Sequence, residues 1–263
     1  MSFEHLPKLE FYFKGFPEDV RFRKHSVPES LEIARGSLYE TWYRCVKQSP
    51  YLAKAIDTND WPSDKLRETY ERFGDLRGTN FDEWWIAVGY GLFCEDRDFR
   101  RITVCEVSED LEPETIRFII PLNTSTATLK KQFDALLEKH HPHYNKFDRW
   151  NLSTAKAKMR TSKLKSELLN KYITAYEIRE ELRKTEPSAK LYDVGRVMGA
   201  NSKLVPKETD KPEVKKEKNF LMSQQLTEYI ERARNLIANA SEGIFPSTEN
   251  HAWVERTTRS RFD

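Results

Sequence analysis

Apolar residues recur at helical spacing along most of the chain, and the clearest case lies near its C-terminus. Five of them follow one another at steps of four, three, four and three residues before Gly243: Leu226, Ile230, Ala233, Ile237 and Ala240. This stripe predicts a helix that docks through one narrow face. Its outer face is predicted to carry four polar residues: Arg232, Arg234, Asn235 and Asn239.

Shorter helices are predicted in the N-terminal region, where start signals precede apolar residues. Ser37 with Glu40 forms a capping-box pattern, and Asn80 with Glu83 can cap a second helix that stops at Gly89 and Gly91. Between residues 42 and 93 the chain holds eleven aromatic residues, largely at helical spacing. Base stacking usually requires interleaved basic residues, which are missing around residues 81 to 93, so core packing is favoured.

Alternating apolar residues predict a small β element. Leu9, Phe11 and Phe13 have the period of a half-buried strand, as do Ile102 and Val104, and residues 116 to 122 resemble a buried strand. A further helix stripe follows at residues 129 to 137. The predicted fold class is mainly α with a small β element (α+β), with up to three strands and helices on one face.

Loss of apolar periodicity after residue 142 places a predicted domain boundary near residues 150 to 153. Residues 1–150 would form an aromatic-cored α+β domain, and residues 151–263 a basic helical domain. The first range carries 22 Lys and Arg against 26 Asp and Glu, and the second carries 22 against 16. The C-terminal range is therefore the better candidate for binding a polyanion.

The C-terminal range opens with a basic run that has no acidic residue until Glu167. It contains Lys156, Lys158, Arg160 and Lys163. Such a run can neutralise phosphates and release counterions, or it can be the solvated face of a helix or connection. In the helix predicted to follow it, Thr174 and Glu177 form another capping-box pattern.

Residues 190–205 resemble the helix-turn-helix of DNA-binding proteins. Gly195 stands four residues before Gly199, and Asn201 with Ser202 can cap a second helix. The resemblance implies that Ser202, Lys203 and Leu204 project into the major groove. In the DNA-binding hypothesis, Arg196 contacts phosphate. Pro206 departs from the pattern, because it interrupts the second helix, and a plain structural turn is the alternative. The charged stretch after residue 205 predicts a loop or linker.

The runs FGDL, FDEWW and GLF, between residues 73 and 93, resemble proteins of bacterial mobile elements and genomic islands. This resemblance covers a small part of the chain. It implies a genomic setting and no activity.

Catalytic and metal-binding signatures are weak. His140, His141 and His143, with Asp148, could ligate a transition metal, although histidines also suit the end of a helix. The acidic residues between 95 and 114 suggest a metal-dependent nuclease, but they fall mostly in connecting segments. The three cysteines share no CxxC spacing, and no phosphate-binding, dinucleotide-binding or hydrolase motif occurs. We predict no enzyme activity and no cofactor.

These patterns favour a cytoplasmic protein that binds double-stranded DNA mainly through the backbone, as a regulator or accessory factor of a bacterial mobile element. The contacts would come from the residues named above: Lys156, Lys158, Arg160, Lys163, Arg196, Ser202, Lys203, Arg232 and Arg234. The alternative is a protein-interaction subunit or adaptor, which uses the aromatic N-terminal region or the helix of residues 226–240. No membrane span is predicted. Sequence specificity and oligomeric state are left open.

Overall fold

A computed structural model describes residues 6–11, 24–95, 117–141, 144, 153–160 and 165–255. Strands β1 (Leu9–Glu10) and β2 (Lys24–His25) pair antiparallel, with Leu9 opposite His25. The helices are, in chain order, α1 (Val27–Ala34), α2 (Leu38–Lys47), α3 (Pro50–Thr58), α4 (Asp64–Phe73), α5 (Phe81–Trp84), α6 (Tyr90–Phe93), α7 (Thr126–His140), α8 (Ser166–Thr185), α9 (Leu191–Met198) and α10 (Pro212–Ser241). The predicted fold class, mainly α with a small β element, is confirmed.

Local capping chemistry explains where several helices begin. The Ser63 hydroxyl accepts the Leu66 amide at the start of α4, and the Asn80 side chain accepts the Glu83 amide at the start of α5. Ser37 caps α2 through the Tyr39 amide, while the Glu40 carboxylate accepts the Gly36 amide. The predicted stop at Gly89 and Gly91 is wrong. The chain continues from α5 through a π-helical turn, Trp85–Gly89, into α6. This continuation keeps five large side chains packed in the core: Trp84, Trp85, Tyr90, Leu92 and Phe93.

The aromatic residues of the N-terminal region form the centre of the core, as predicted. Trp42 of α2 is 2% exposed, and its ring lies 5.4 Å from Phe73, 5.6 Å from Phe93 and 5.1 Å from Phe245. Its indole N–H donates to the Ala240 carbonyl at 3.3 Å. Helices from residues 38 to 93 are therefore joined to the C-terminal end of α10 around one tryptophan.

Helix α10 packs against α2, α3, α4, α8 and α9. All five stripe residues are buried, at most 3% exposed: Leu226, Ile230, Ala233, Ile237 and Ala240. Buried residues before 150 and after 153 belong to one hydrophobic cluster. The division into two domains at about residue 150 stays a prediction.

Two features of α10 differ from the prediction. The helix begins at Pro212, so much of the charged stretch expected as a loop is helical. Proline at the first turn, together with the 2.6 Å ion pair between Lys218 and Asp210, stabilises this early start. Asn235 and Asn239, expected on the outer face, are 4% and 6% exposed.

The two asparagines are buried because they hold the chain that follows the helix. The Asn235 side-chain oxygen accepts the His251 amide at 2.8 Å. The Asn239 side-chain amide donates to the Glu249 carbonyl at 2.8 Å. Burial without such partners would be costly, and here both side chains are satisfied.

Residues 117 to 122 were expected as part of a strand, and that prediction is wrong. They form no ladder with any described residue, and Ile119 and Leu122 are 96% and 92% exposed. The strand predicted around residues 102 to 104 lies outside the described residues. None of the described helices, including the 30-residue α10, is both long and apolar enough to cross a membrane.

Candidate nucleic-acid interface

Residues 153–160 alternate between buried and exposed positions. Ala155, Ala157 and Met159 are 3 to 4% exposed, whereas the two lysines between them, Lys156 and Lys158, are exposed. Arg160 is exposed as well. All three cations therefore face solvent, while the apolar side chains between them are buried.

This segment is fastened to the core at several points. The Ala157 amide donates to the Leu92 carbonyl at 3.1 Å, and the Arg160 amide donates to the Phe245 carbonyl at 2.7 Å. At its start, the Glu95 carboxylate accepts the Ser153 hydroxyl at 2.9 Å and the Thr154 amide at 2.7 Å. The backbone that carries the three cations is consequently held in place before any ligand binds.

Lys156, Lys158 and Arg160 form no side-chain ion pair or hydrogen bond with any described residue. We call these three residues the basic edge. The fourth predicted residue of the run, Lys163, lies outside the described residues. An unpaired, exposed and prepositioned set of cations can contact phosphates without breaking an internal ion pair.

Glu95 bears on the nuclease hypothesis. It is the one described member of the acidic set between residues 95 and 114, and it is 6% exposed and occupied with Ser153 and Thr154. In the described part of the chain, the Glu95 carboxylate holds the start of the segment of residues 153–160 in place. The other acids of that set lie outside the described residues.

The helix-turn-helix-like segment consists of α9, a left-handed Gly199 (φ 63°) and the 3-10 turn Ser202–Leu204. Asn201 caps this turn through the Lys203 amide, as predicted, but the second element is only three residues long. Ser202 and Lys203 are exposed, whereas Leu204 packs against the core. The groove-reading role of Ser202 and Lys203 stays a prediction.

Gly195 has a specific packing role in α9. A Cβ at this position would lie 2.5 Å from Sδ and 2.6 Å from Cγ of Met222, which is 1% exposed. Glycine therefore lets α9 approach α10 closely. In a helix-turn-helix a small residue at this place lets the second helix of the motif pack across the first. Here the helix that packs across Gly195 is α10 instead.

The remaining predicted arginines differ in their availability. Arg196 is engaged with Asp193 at 3.7 Å and Asn219 at 3.3 Å, and its guanidinium lies over the Tyr192 ring. Arg232 is exposed and Arg234 half-buried, and neither has a hydrogen-bond or ion-pair partner among the described residues.

Thr174 and Glu177 do not form the predicted capping box, because α8 runs unbroken from Ser166 to Thr185. Both side chains instead bind the Arg44 guanidinium of α2. Thr174 Oγ1 accepts from Arg44 at 2.8 Å, and Glu177 Oε1 accepts from Arg44 Nε at 3.1 Å. An interaction between residues 130 positions apart has taken the place of a local one.

The histidine cluster shows no metal site in the part of the chain that the structure describes. His140 is exposed in the last turn of α7, and His141 is its C-terminal flanking residue. His143 and Asp148 lie outside the described residues.

Sequence reasoning missed a chain of polar side chains that joins α4, α10 and the segment after it. The Ser63 hydroxyl donates to Glu242 Oε1 at 2.6 Å, and His251 Nε2 lies 3.1 Å from Glu242 Oε2. His251 Nδ1 accepts the Trp253 amide at 3.2 Å, so the other ring nitrogen is the donor to Glu242. The serine contacts the carboxylate rather than the imidazole, which is not the arrangement of an activated nucleophile.

The ionisation of Glu242 should make stability pH-dependent. Burial raises the pKa of Glu242, but hydrogen bonds with Ser63 and His251 outweigh burial, so the pKa lies below its ordinary value of 4.5. A lowered pKa stabilises the fold above the unfolded-state value and loses this contribution as falling pH passes the folded-state value. We expect the Tm difference between wild type and Glu242→Gln to shrink below pH 4.5. Thermal unfolding from about pH 7 to about pH 3 measures it, and a constant difference would contradict the expectation.

Comparison of the chain with protein-family models, curated proteins and solved structures found no match.

Proposed function

We propose that the protein binds duplex DNA through the sugar-phosphate backbone, with the basic edge as its principal contact. The observation that carries the proposal is that Lys156, Lys158 and Arg160 project together from a fixed segment and have no partner among the described residues. Each cation that meets a phosphate releases condensed counterions, which favours binding without reading sequence.

Further support comes from exposed groups on α9 and α10 and from the turn between them. Ser202, Lys203 and Arg232 are exposed, and Arg234 is unpaired among the described residues. In this proposal they extend the backbone contacts, and Arg196 contributes after exchanging Asp193 for phosphate. The turn spacing of residues 190–205 and the basic C-terminal range favour a regulator or accessory factor, and the resemblance of residues 73 to 93 gives a mobile element as its genomic setting.

The test is binding of the full chain to a duplex of arbitrary sequence, measured by fluorescence anisotropy at several salt concentrations. The test variant carries Lys156→Glu, Lys158→Glu and Arg160→Glu. We expect it to bind at least about tenfold more weakly at low salt, with the slope of log K against log salt reduced by about three.

A charge-matched control distinguishes an effect of the basic edge itself from an effect of the change in net charge. Lys130, Lys131 and Lys139 are exposed on α7, and reversing all three changes the net charge equally. The control should retain most of the affinity. Equal losses in the two variants, or no binding by the wild type at low salt, would overturn the proposal.

The protein-interaction alternative stays a prediction, although central residues of both regions named for it are buried in the chain's own core. Ile230 and Ile237, the centre of the heptad-like stripe, are 3% and 1% exposed inside the chain's own core. The same is true of Trp42 and Trp85. Substituting these residues would therefore test folding rather than assembly with a partner.

A further inference from the structure

A cleft between α8, α9 and the N-terminal half of α10 combines apolar walls with cations. Its volume is about 470 Å³, within the range of small-ligand sites. Arg179, Arg183 and Lys190 line it together with apolar residues that include Leu182, Leu191 and Val194. No acidic residue is among the described residues that line this cleft.

Arg179 is the unusual member of this group. It is half-buried, yet it has no hydrogen-bond or ion-pair partner among the described residues. Burial lowers its pKa, and neighbouring Arg183 and Arg234 lower it further, while Glu180 and Tyr176 act in the opposite direction. A cation held in this way lacks the compensation that a partly buried charge normally has.

Arg44 of α2, which is bound by side chains of the same helix α8, provides a comparison. It is also half-buried, but Glu177 and Thr174 bind its guanidinium. Arg183 is paired with Glu180 at 3.2 Å, an exposed contact that stabilises little and can be exchanged. Glu180 is thus engaged with Arg183, and Arg179 is left without an ion-pair partner among the described residues.

We propose that Arg179, with Arg183 and Lys190, binds a phosphate group in this cleft. The planar guanidinium can donate two parallel hydrogen bonds to phosphate oxygens, and the second arginine and the lysine add charge. The cleft is much larger than one phosphate, so its apolar walls can hold an organic part of the ligand. Neither Arg179 nor Arg183 belongs to the DNA contacts proposed above. The phosphate site therefore does not depend on the proposed DNA binding.

Thermal unfolding of the full chain at constant ionic strength tests the site, with inorganic phosphate exchanged for chloride. We expect saturating phosphate to raise the Tm of the wild type by about 3 °C. Arg179→Gln should lose this response. Without phosphate, Arg179→Gln should be at least as stable as the wild type, because it removes an uncompensated cation.

Arg67→Gln is the matched control, since Arg67 is an exposed arginine paired with Glu71 on α4. It should keep the full phosphate response. An equal response of wild type and Arg179→Gln, or no response of the wild type, would overturn the site. A lower phosphate-free Tm of Arg179→Gln would assign that side chain a structural role instead.

Two further measurements identify the source of the phosphate. Oligonucleotides with a 5′-phosphate and with a 5′-hydroxyl are compared as ligands of the wild type. A larger shift with the 5′-phosphate points to a strand end, and a shift with inorganic phosphate alone points to a free anion. The triple variant of the basic edge should keep its phosphate response, so failure of DNA binding and failure of this site are distinguishable.

Discussion

Trp42→Ala should lower the free energy of unfolding by about 3 to 5 kcal/mol, as measured by urea denaturation. The indole is 2% exposed and contacts the rings of Phe73, Phe93 and Phe245. The substitution leaves a cavity at the point where α2, α4, α6 and the chain after α10 meet. It also leaves the Ala240 carbonyl without the indole donor.

Trp61 supplies the matched control. It is only half-buried, with its ring 5.2 Å from Tyr70 and its indole N–H 3.3 Å from Asn59. Trp61→Ala should cost about 1 kcal/mol or less. If Trp42→Ala prevents folding, Trp42→Phe retains a ring and should cost about 1 to 2 kcal/mol. Similar losses for Trp42→Ala and Trp61→Ala would contradict the central position of Trp42.

Arg44→Ala should lower the free energy of unfolding by about 2 to 3 kcal/mol. The guanidinium joins α2 to α8 through Glu177 and Thr174, and the Arg44 and Glu177 side chains are 23% and 27% exposed. Removing the arginine leaves Glu177 partly desolvated without its counterion. Partial exposure reduces the cost below that of a fully buried pair.

A double-mutant cycle separates the pair from general packing. Glu177→Ala alone should be destabilising, and Arg44→Ala with Glu177→Ala should cost less than the sum, with a coupling of about 1 kcal/mol or more. Arg67→Ala, which removes an exposed pair with Glu71 at 3.2 Å, should cost less than about 0.5 kcal/mol. Additive effects of the Arg44 and Glu177 substitutions would contradict the proposed bridge.

The features that sequence reasoning predicted well depend on neighbours along the chain. Asn80 caps its helix because the amide that its side chain accepts is only three residues away. The stripe from Leu226 to Ala240 is buried because the α-helical repeat alone places those residues on one side. Residues 153–160 carry a similar local signal, because apolar residues alternate with cations from Ala155 to Arg160.

The candidate phosphate site was not predictable from the sequence. Arg179 and Arg183 stand four residues apart in an ordinary charged helix, and nothing in that spacing distinguishes them from a solvated face. Their shared cleft exists only because α9 and α10 pack against α8 and bring Lys190 to the same place. The proposed DNA contacts were not predictable as a set for the same reason. A sequence can indicate that each cation is exposed, but it does not show which cations lie together on one surface.

The sequence by itself determined the helical class of the protein, the caps at the start of α2 and α5 and the buried stripe of its last helix, because hydrogen bonds and side-chain periodicity within one helix act over three or four residues. Only the tertiary structure decided the partners of polar side chains. Thr174 and Glu177 have the spacing of a capping box, yet they bind Arg44, and Asn235 and Asn239 are buried by the chain that returns over α10. A polar group can satisfy its hydrogen bonds with a near or a distant partner, and the packing of the whole core determines which partner is within reach.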